Sequence, residues 1–294
     1  MKIKDHFLSQ EEFELRETEI SGVLKTYPIP ENISQYYESK NYISHHQDSG
    51  SLKETIYKLL QKFNLKYKKK ILQKATSRKQ DTSHENEKME KPNASSLPSI
   101  SILDYGCGAG EFVKYISKEY RTFGYEPNSN ARTFAQQKNN VTTFLSSPTL
   151  SEIENESLDA ITLWHVFEHI ENQKEVLDIF HQKLKPQGKL IIAVPNPNSY
   201  DAEHYKEFWA AYDVPRHIYH FSKAGMLRLM NNEQWQVQKI APLLLDSFYI
   251  SLLSEKYKKN PLFWFFGGLH GAISNFKALK TGDFSSLIYI VEKK

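Results

Sequence analysis

Cysteine is almost missing from this 294-residue chain: Cys107 stands alone, so no internal disulfide can form and the fold must be held by burial. Long apolar runs are missing too. No stretch reaches the roughly 18 consecutive apolar residues that a membrane-spanning helix needs. The segment Met1–His6 lacks the apolar core of a secretion signal, so the expected location is cytoplasmic. An excess of one charge is also absent. A net charge of +3 does not imply a strongly basic surface, and nucleic acid is not an expected partner. The single basic run, Lys66-Tyr67-Lys68-Lys69-Lys70, closes a helix-like segment, where lysines suit the helix C-terminus and face water. No internal repeat is visible.

Between Gln73 and Ser99 apolar residues all but vanish, with only Ala75, Met89, Ala94 and Leu97 present. Such a composition buries too little surface to offset chain entropy, so 73–99 reads as a flexible linker. It divides an N-terminal extension, 1–72, from a larger domain, 100–294. Within the extension Leu52, Ile56, Leu59, Leu60 and Phe63 recur at helical spacing and predict an amphipathic helix. Tyr36, Tyr37, Tyr42, His45 and His46 precede it. From Ile100 onward strand-like and helix-like patterns alternate, which argues for a parallel sheet covered by helices. Strands are expected at 100–105, 121–126, 141–145, 158–164 and 188–194, then near 234–242 and 286–291. Helices are expected at 110–119, 129–138, 171–184 and 222–231, with Ser222 as an N-cap for the last. An insertion, about 246–283, holds the aromatic run Pro261–Leu269.

The most specific pattern is Asp104-Tyr105-Gly106-Cys107-Gly108-Ala109-Gly110, a strand-to-helix turn with glycines at every second position. Such a turn lets bare backbone approach a ligand. The dinucleotide fingerprint G-x-G-x-x-G would need its third glycine at 111, where the chain has Glu111. Residues 102–112 instead resemble the first motif of class I S-adenosylmethionine-dependent methyltransferases, and the second strand then ends in Glu126-Pro127. The resemblance implies an α/β fold: a Rossmann-like seven-stranded, mostly parallel sheet with a β-hairpin end, helices on both faces and an N-terminal helical extension. It implies S-adenosyl-L-methionine as cofactor, held by Asp104, Gly106, Cys107, Gly108, Gly110, Glu126, Pro127, Leu145, Trp164 and His165. Glu126 would take both ribose hydroxyls, since a carboxylate can accept two hydrogen bonds. Relatives often carry an acid after the third strand for the adenine, but this chain reads Leu145-Ser146-Ser147-Pro148 there.

Two further clusters hold the expected chemistry. Trp164-His165-Val166-Phe167-Glu168-His169 follows the fourth strand, and its three polar residues would crowd one helix face. The string resembles the fourth-strand motif of methyltransferases related to the quinone-biosynthesis O-methyltransferases, in which the Glu-His pair faces the acceptor. Read alone, it also matches the H-x-x-E-H string of inverted zinc peptidases. A helix-capping role for Glu168 and His169 is the simplest structural alternative. The second cluster is Tyr212–Ser222, with Asp213, Arg216, His217 and His220.

The expected reaction is methyl transfer to a small-molecule oxygen nucleophile, a phenol or quinone precursor, a sugar or a lipid head group. Position ranks His169, then His217, then His165 as the base, with Glu168 balancing charge. No metal is assigned. A non-catalytic cofactor-binding sensor or partner subunit, a zinc hydrolase using His165, Glu168 and His169, and a nicotinamide dehydrogenase are the alternatives. N-terminal helices commonly serve as a lid in relatives. The aromatic run could line a lipophilic acceptor pocket, lie on a membrane surface, mediate a dimer or form core. The oligomeric state is left open.

Overall fold

Alternation of apolar and charged residues begins the chain. In Glu12-Phe13-Glu14-Leu15-Arg16-Glu17, Phe13 and Leu15 are buried while their acidic neighbours face out, the period of a half-buried strand. The computed structural model describes residues 1–37, 52–77 and 100–294. Its first elements are β1 (Lys2–Lys4), β2 (Glu12–Glu17), β3 (Val23–Tyr27), α1 (Leu52–Thr76), β4 (Ser101–Tyr105) and α2 (Glu111–Ile116). Next come β5 (Arg121–Tyr125), α3 (Ser129–Lys138), β6 (Thr143–Leu145), β7 (Leu158–Trp164), α4 (Gln173–Lys183) and β8 (Leu184–Pro195). The chain ends with α5 (Tyr200–Tyr205), β9 (Tyr219–Phe221), α6 (Lys223–Met230), β10 (Trp235–Pro242), α7 (Leu244–Tyr257), α8 (Phe263–Thr281) and β11 (Ser286–Lys293).

Seven strands form one sheet in the order β10-β11-β8-β7-β4-β5-β6, the α/β architecture expected from the sequence. β4 pairs in parallel with β5 and with β7, and β5 with β6. A second, antiparallel sheet has the order β1-β2-β3-β9. This corrects one expectation. The start of the N-terminal extension is not helical: β1, β2 and β3 form an antiparallel sheet, and β3 pairs with β9 through Val23 opposite Phe221. The chain divides into two compact units, Met1–Lys62, Trp164–Gln173 and Ile192–Val291 in one, Phe63–Leu163, Lys174–Ile191 and Glu292–Lys294 in the other.

In the second unit β4 is buried along its whole length, as a central parallel strand should be. Ile102 and Leu103 are fully covered, each worth about 1.5–3 kcal/mol of burial. Helix α1 runs on through Thr76, past the expected linker boundary at 73. Its Leu59, Leu60 and Phe63 are exposed, whereas Ile71, Leu72 and Ala75 are buried, so its packing face lies nearer its C-terminus than the spacing suggested. Lys69, from the basic run, pairs with Glu119. Tyr42, His45, His46 and 78–99 lie outside the described residues.

In the first unit the core joins Ile3, Phe13 and Leu15 to Tyr205, Trp209 and Ile250. Buried Asp201 ties this region together, accepting from Trp209 Nε1 and from Ser274 Oγ, each at 2.7 Å. Ser222 caps α6 as expected, accepting from the Gly225 amide at 3.0 Å. Gly22 and Gly225 permit a close crossing there: a Cβ on Gly225 would meet the Gly22 carbonyl oxygen at 2.2 Å. The insertion is the helical pair α7 and α8. Its contact is built from small residues, and a Cβ on Gly267 or Gly271 would strike the α7 backbone at 2.6 or 2.7 Å.

Candidate active site

The glycine turn follows β4 and is tied to the end of β5, since the amides of Gly106 and Cys107 both donate to the Tyr125 carbonyl, at 2.7 and 2.9 Å. Gly106, Gly108 and Gly110 all have positive φ, at 79°, 52° and 75°. A Cβ placed on Gly108 would meet nothing within 4 Å, so the turn presents bare backbone to open space. Glu126 borders that opening. Its carboxylate accepts from the Gly108 amide at 2.9 Å and from the Asn128 amide at 3.0 Å, one bond per oxygen. Each oxygen therefore keeps a lone pair for a further donor. Pro127 follows it directly and leads to Asn128, which caps α3 by accepting from Ala131.

Asp104 lies beneath the turn, buried, and accepts from Thr162 Oγ1 at 2.6 Å. Burial raises its carboxyl to about 7, against the opposing pull of that hydrogen bond. Cys107 is buried and burial pushes its thiol well up, which leaves it a small packing residue rather than a nucleophile. Its sulfur would lie 3.0 Å from a Cβ on Gly124, so both small residues are needed where β5 meets the turn. Leu145 is buried at the end of β6. The next residue holds a finding that sequence reasoning missed: Ser146 donates through its amide and its hydroxyl to Glu152 Oε1, at 3.1 and 3.0 Å. A carboxylate is thus brought to the end of the strand from six residues downstream, by way of the 147–150 turn. Six-residue spacing carries no local signature that could have flagged it.

In the other unit, the fourth-strand string does not form the single helix face expected. His165 has φ 58° and Phe167–His169 make only a 3-10 turn, so the string is not a helix, although its polar side chains still meet at Glu168. His165 is held by two carboxylates, Nδ1 at 3.3 Å from Glu168 Oε1 and Nε2 at 2.8 Å from Asp246 Oδ2. Burial works to lower its pKa, but Asp246 and Glu168 overcome that and raise it to about 10. His165 is thus an imidazolium at neutral pH, and both ring nitrogens are engaged, which argues against its ligating zinc. Glu168 is buried and turned to His165 and His217; helix capping does not describe it. His169 Nδ1 lies 2.8 Å from the Arg216 carbonyl and 3.0 Å from Tyr37 Oη.

The Tyr212–Ser222 cluster packs against the same string. Arg216 is buried and donates to both Asp213 oxygens and, at 3.1 Å, to Asp5 Oδ1, fixing the loop to the N-terminal strands. His217 Nδ1 lies 2.9 Å from the Ala211 carbonyl, so that nitrogen carries the hydrogen and Nε2 keeps its lone pair. That Nε2 is 3.9 Å from both Glu168 Oε1 and Asp213 Oδ2. Burial and neighbouring His169 outweigh these carboxylates and lower His217 to about 4. His220 is buried beside Thr26, which donates to the His217 carbonyl at 2.7 Å and so receives the His220 ring N–H at 3.0 Å.

Within this unit a cavity of about 400 Å³ has His165, Asp213, His217 and Asp246 on its polar side. Phe7, Ile250, Leu253 and Tyr257 form its apolar side. Of the expected bases, His165 and His217 line it. Asp246 and the α7 residues come from the insertion, which sequence reasoning had assigned no polar role. Two groups among the described residues have ligand atoms close enough for a metal: Glu168, His169 and His217, and His204, Glu255 and His270. In the second, Glu255 already accepts from Asn260 at 2.6 Å with Lys258 at 4.0 Å. The aromatic run is not core: Trp264 and Phe265 are 62% and 51% exposed.

Residues 52–240, well over half of the chain, match the profile of the methyltransferase-domain family. The ubiquinone biosynthesis O-methyltransferase of Rickettsia typhi is 28% identical over 111 residues, which cover 36% of this chain and 45% of that protein. The chain thus spans less than half of that relative. The ubiquinone biosynthesis O-methyltransferase of Rickettsia bellii is 24% identical over 172 residues, 53% of this chain and 70% of that protein. Among solved structures, the geranyl diphosphate C-methyltransferase of Streptomyces coelicolor A3(2) aligns with a TM-score of 0.47 and 12% identity, covering 68% of this chain and 72% of that one. With its profile match and its glycine turn in a seven-stranded α/β sheet, the chain belongs to the methyltransferase-domain family.

Proposed function

We propose that the chain transfers a methyl group from S-adenosylmethionine to a hydroxyl of a small, partly apolar molecule, with His217 receiving the proton. One observation carries the reading: the bare backbone at Gly108 opens onto the Glu126 carboxylate, which keeps a lone pair on each oxygen. That pairing suits a ribose, whose two hydroxyls would each donate to one oxygen. Asp104, poised near neutrality by burial, would be held ionised by a cationic ligand. Glu152, held by Ser146, would serve as the acid that the sequence directly after β6 lacks. When bound, the cofactor supplies an activated methyl on a sulfonium; the protein's part is positioning and proton handling.

For the acceptor, an apolar wall with a polar side favours a phenol-like molecule over a sugar. His217 is unprotonated at neutral pH, and its tautomer, fixed by Ala211, leaves Nε2 free to take a proton. It is a weak base. As the acceptor oxygen is alkylated, however, its proton becomes strongly acidic, and Glu168 and Asp213 stabilise the resulting imidazolium. This reading moves the base from His169, first by position, to His217. His165, held protonated, would orient or polarise instead.

The test incubates the full chain with methyl-labelled S-adenosylmethionine and, in parallel, a catechol, a sugar, a phospholipid head group and a cell extract. Label on the catechol or on an extract phenol is the expected result. Calorimetry showing no affinity for S-adenosylmethionine or S-adenosylhomocysteine would remove the reading.

A further inference from the structure

We infer that the helical pair α7 and α8 docks on an anionic membrane surface. Of sixteen large apolar residues exposed among the described residues, nine belong to residues 244–279: Leu244, Phe248, Tyr249, Leu262, Trp264, Phe265, Leu269, Phe276 and Leu279. On α8 their arrangement is ordered. At about 100° per residue, Leu262, Phe265, Leu269, Phe276 and Leu279 share one face within roughly 100°. The buried residues of α8, Gly267, Gly271, Ser274 and Ala278, lie on the opposite face. The pair is thus packed through small residues and turns its large apolar side chains outward, the inverse of an ordinary surface helix.

Charge decides what covers this face. Every exposed charged side chain between Leu244 and Lys280 is a lysine: Lys256, Lys258, Lys259, Lys277 and Lys280. The two acids of this stretch are turned inward, Asp246 to His165 and Glu255 to Asn260. A second copy of the same face would set lysine against lysine with no acid to pair it. A lipid surface carrying phosphate matches both features, apolar side chains entering the acyl boundary and lysines meeting the head groups. No described helix is long and apolar enough to cross a membrane, so the pair would lie along the surface, α8 extending about 28 Å at 1.5 Å per residue. The inference stands independently of methyl transfer.

The test is flotation of the full chain with vesicles of phosphatidylcholine alone and of phosphatidylcholine with 30% phosphatidylglycerol (a chosen mixture, roughly that of an anionic bilayer). The expected result is binding to the anionic vesicles that 0.5 M salt (about three times physiological) weakens at least tenfold. Phe276→Ser with Leu279→Ser should lower partitioning at least tenfold, and Lys256→Glu with Lys259→Glu should do the same. All four positions are exposed, so the fold should persist, checked by circular dichroism. A blue shift of tryptophan emission on adding vesicles, lost in Trp264→Phe, would support insertion. Equal binding to both vesicles, no binding, or unaltered binding by both double variants would overturn the inference, as would a lipid-free dimer dissociated by Phe276→Ser.

Discussion

His165 and Asp246 form an ion pair at 2.8 Å that joins the residue after β7 to the first turn of α7. Glu168 closes on the other ring nitrogen at 3.3 Å. Burial lowers the pKa of His165, yet Asp246 and Glu168 carry it to about 10, above the roughly 6.5 of an unfolded histidine. The stabilisation it brings is therefore complete below about pH 6.5 and is lost as pH rises towards 10. Urea midpoints measured from pH 6 to 10.5 should fall along that limb in the native chain. In His165→Gln the alkaline fall should shrink, with lower stability at neutral pH. Parallel profiles for the two proteins would mean that the pair does not stabilise the fold.

Glu126→Ala should weaken S-adenosylmethionine binding by about one to two orders of magnitude, because hydrogen bonds to a charged acceptor are worth about 1.5–3 kcal/mol each. Gly108→Ala gives a sharper comparison. The added methyl meets no protein atom, so the stability cost is only the left-handed backbone, about 1–2 kcal/mol. It does occupy the opening beside Glu126. Calorimetry should show at least a tenfold loss of affinity while the melting transition moves only a few degrees. Equal affinity in the alanine variant would place the ligand away from this turn.

The sheet and the glycine turn were legible because they rest on local signals. The run Leu190-Ile191-Ile192-Ala193-Val194 could only be a buried strand, and β7 and α3 end where the pattern ends. The N-terminal strands carried an equally clear alternation in Glu12–Glu17, but its acidic composition disguised a half-buried strand, and the sheet it belongs to is completed by β9, which pairs with β3 from some 200 residues away. The same reason hid the polar cavity. Phe7, His165 and Asp246 come from segments far apart in sequence, and no spacing links them. His165, Glu168 and His169 misled in the opposite direction: adjacent in sequence, they suggested one helix face, but His165 is left-handed and only a 3-10 turn follows, so Glu168 meets its neighbours without a helix.

Arg216 should be the most costly single residue to remove from the first unit. It is buried, with Asp213 and Asp5 as partners, and Asp5 also receives the amides of Phe7, Leu8 and Ser9. Removing the cation leaves the Asp5 and Asp213 carboxylates without their shared counter-ion. Arg216→Met should cost about 3–5 kcal/mol in urea unfolding, a magnitude seen when one partner of a buried ion pair is deleted. Asp5→Asn with Arg216→Met should recover part of that loss, since one of the stranded charges is gone. A loss below about 1 kcal/mol would mean the cluster is hydrated and contributes as a surface pair does.

His217→Gln tests the proton acceptor directly. Glutamine retains a hydrogen-bonding side chain of similar reach but cannot take a proton at neutral pH, so cofactor affinity should stay within about threefold. Turnover with a phenolic acceptor should fall by about 10²–10⁴, the usual contribution of a positioned general base. The pH profile separates this role from packing. If deprotonation by His217 limits the rate, the native chain should lose activity as pH falls towards about 4, and the variant should instead gain activity as alkaline pH ionises the phenol unaided. His169→Gln should keep most of the native rate, because His169 spends Nδ1 on the Arg216 carbonyl and supports the loop. If His169→Gln abolished turnover with the native pH profile intact in His217→Gln, the proton would belong to His169.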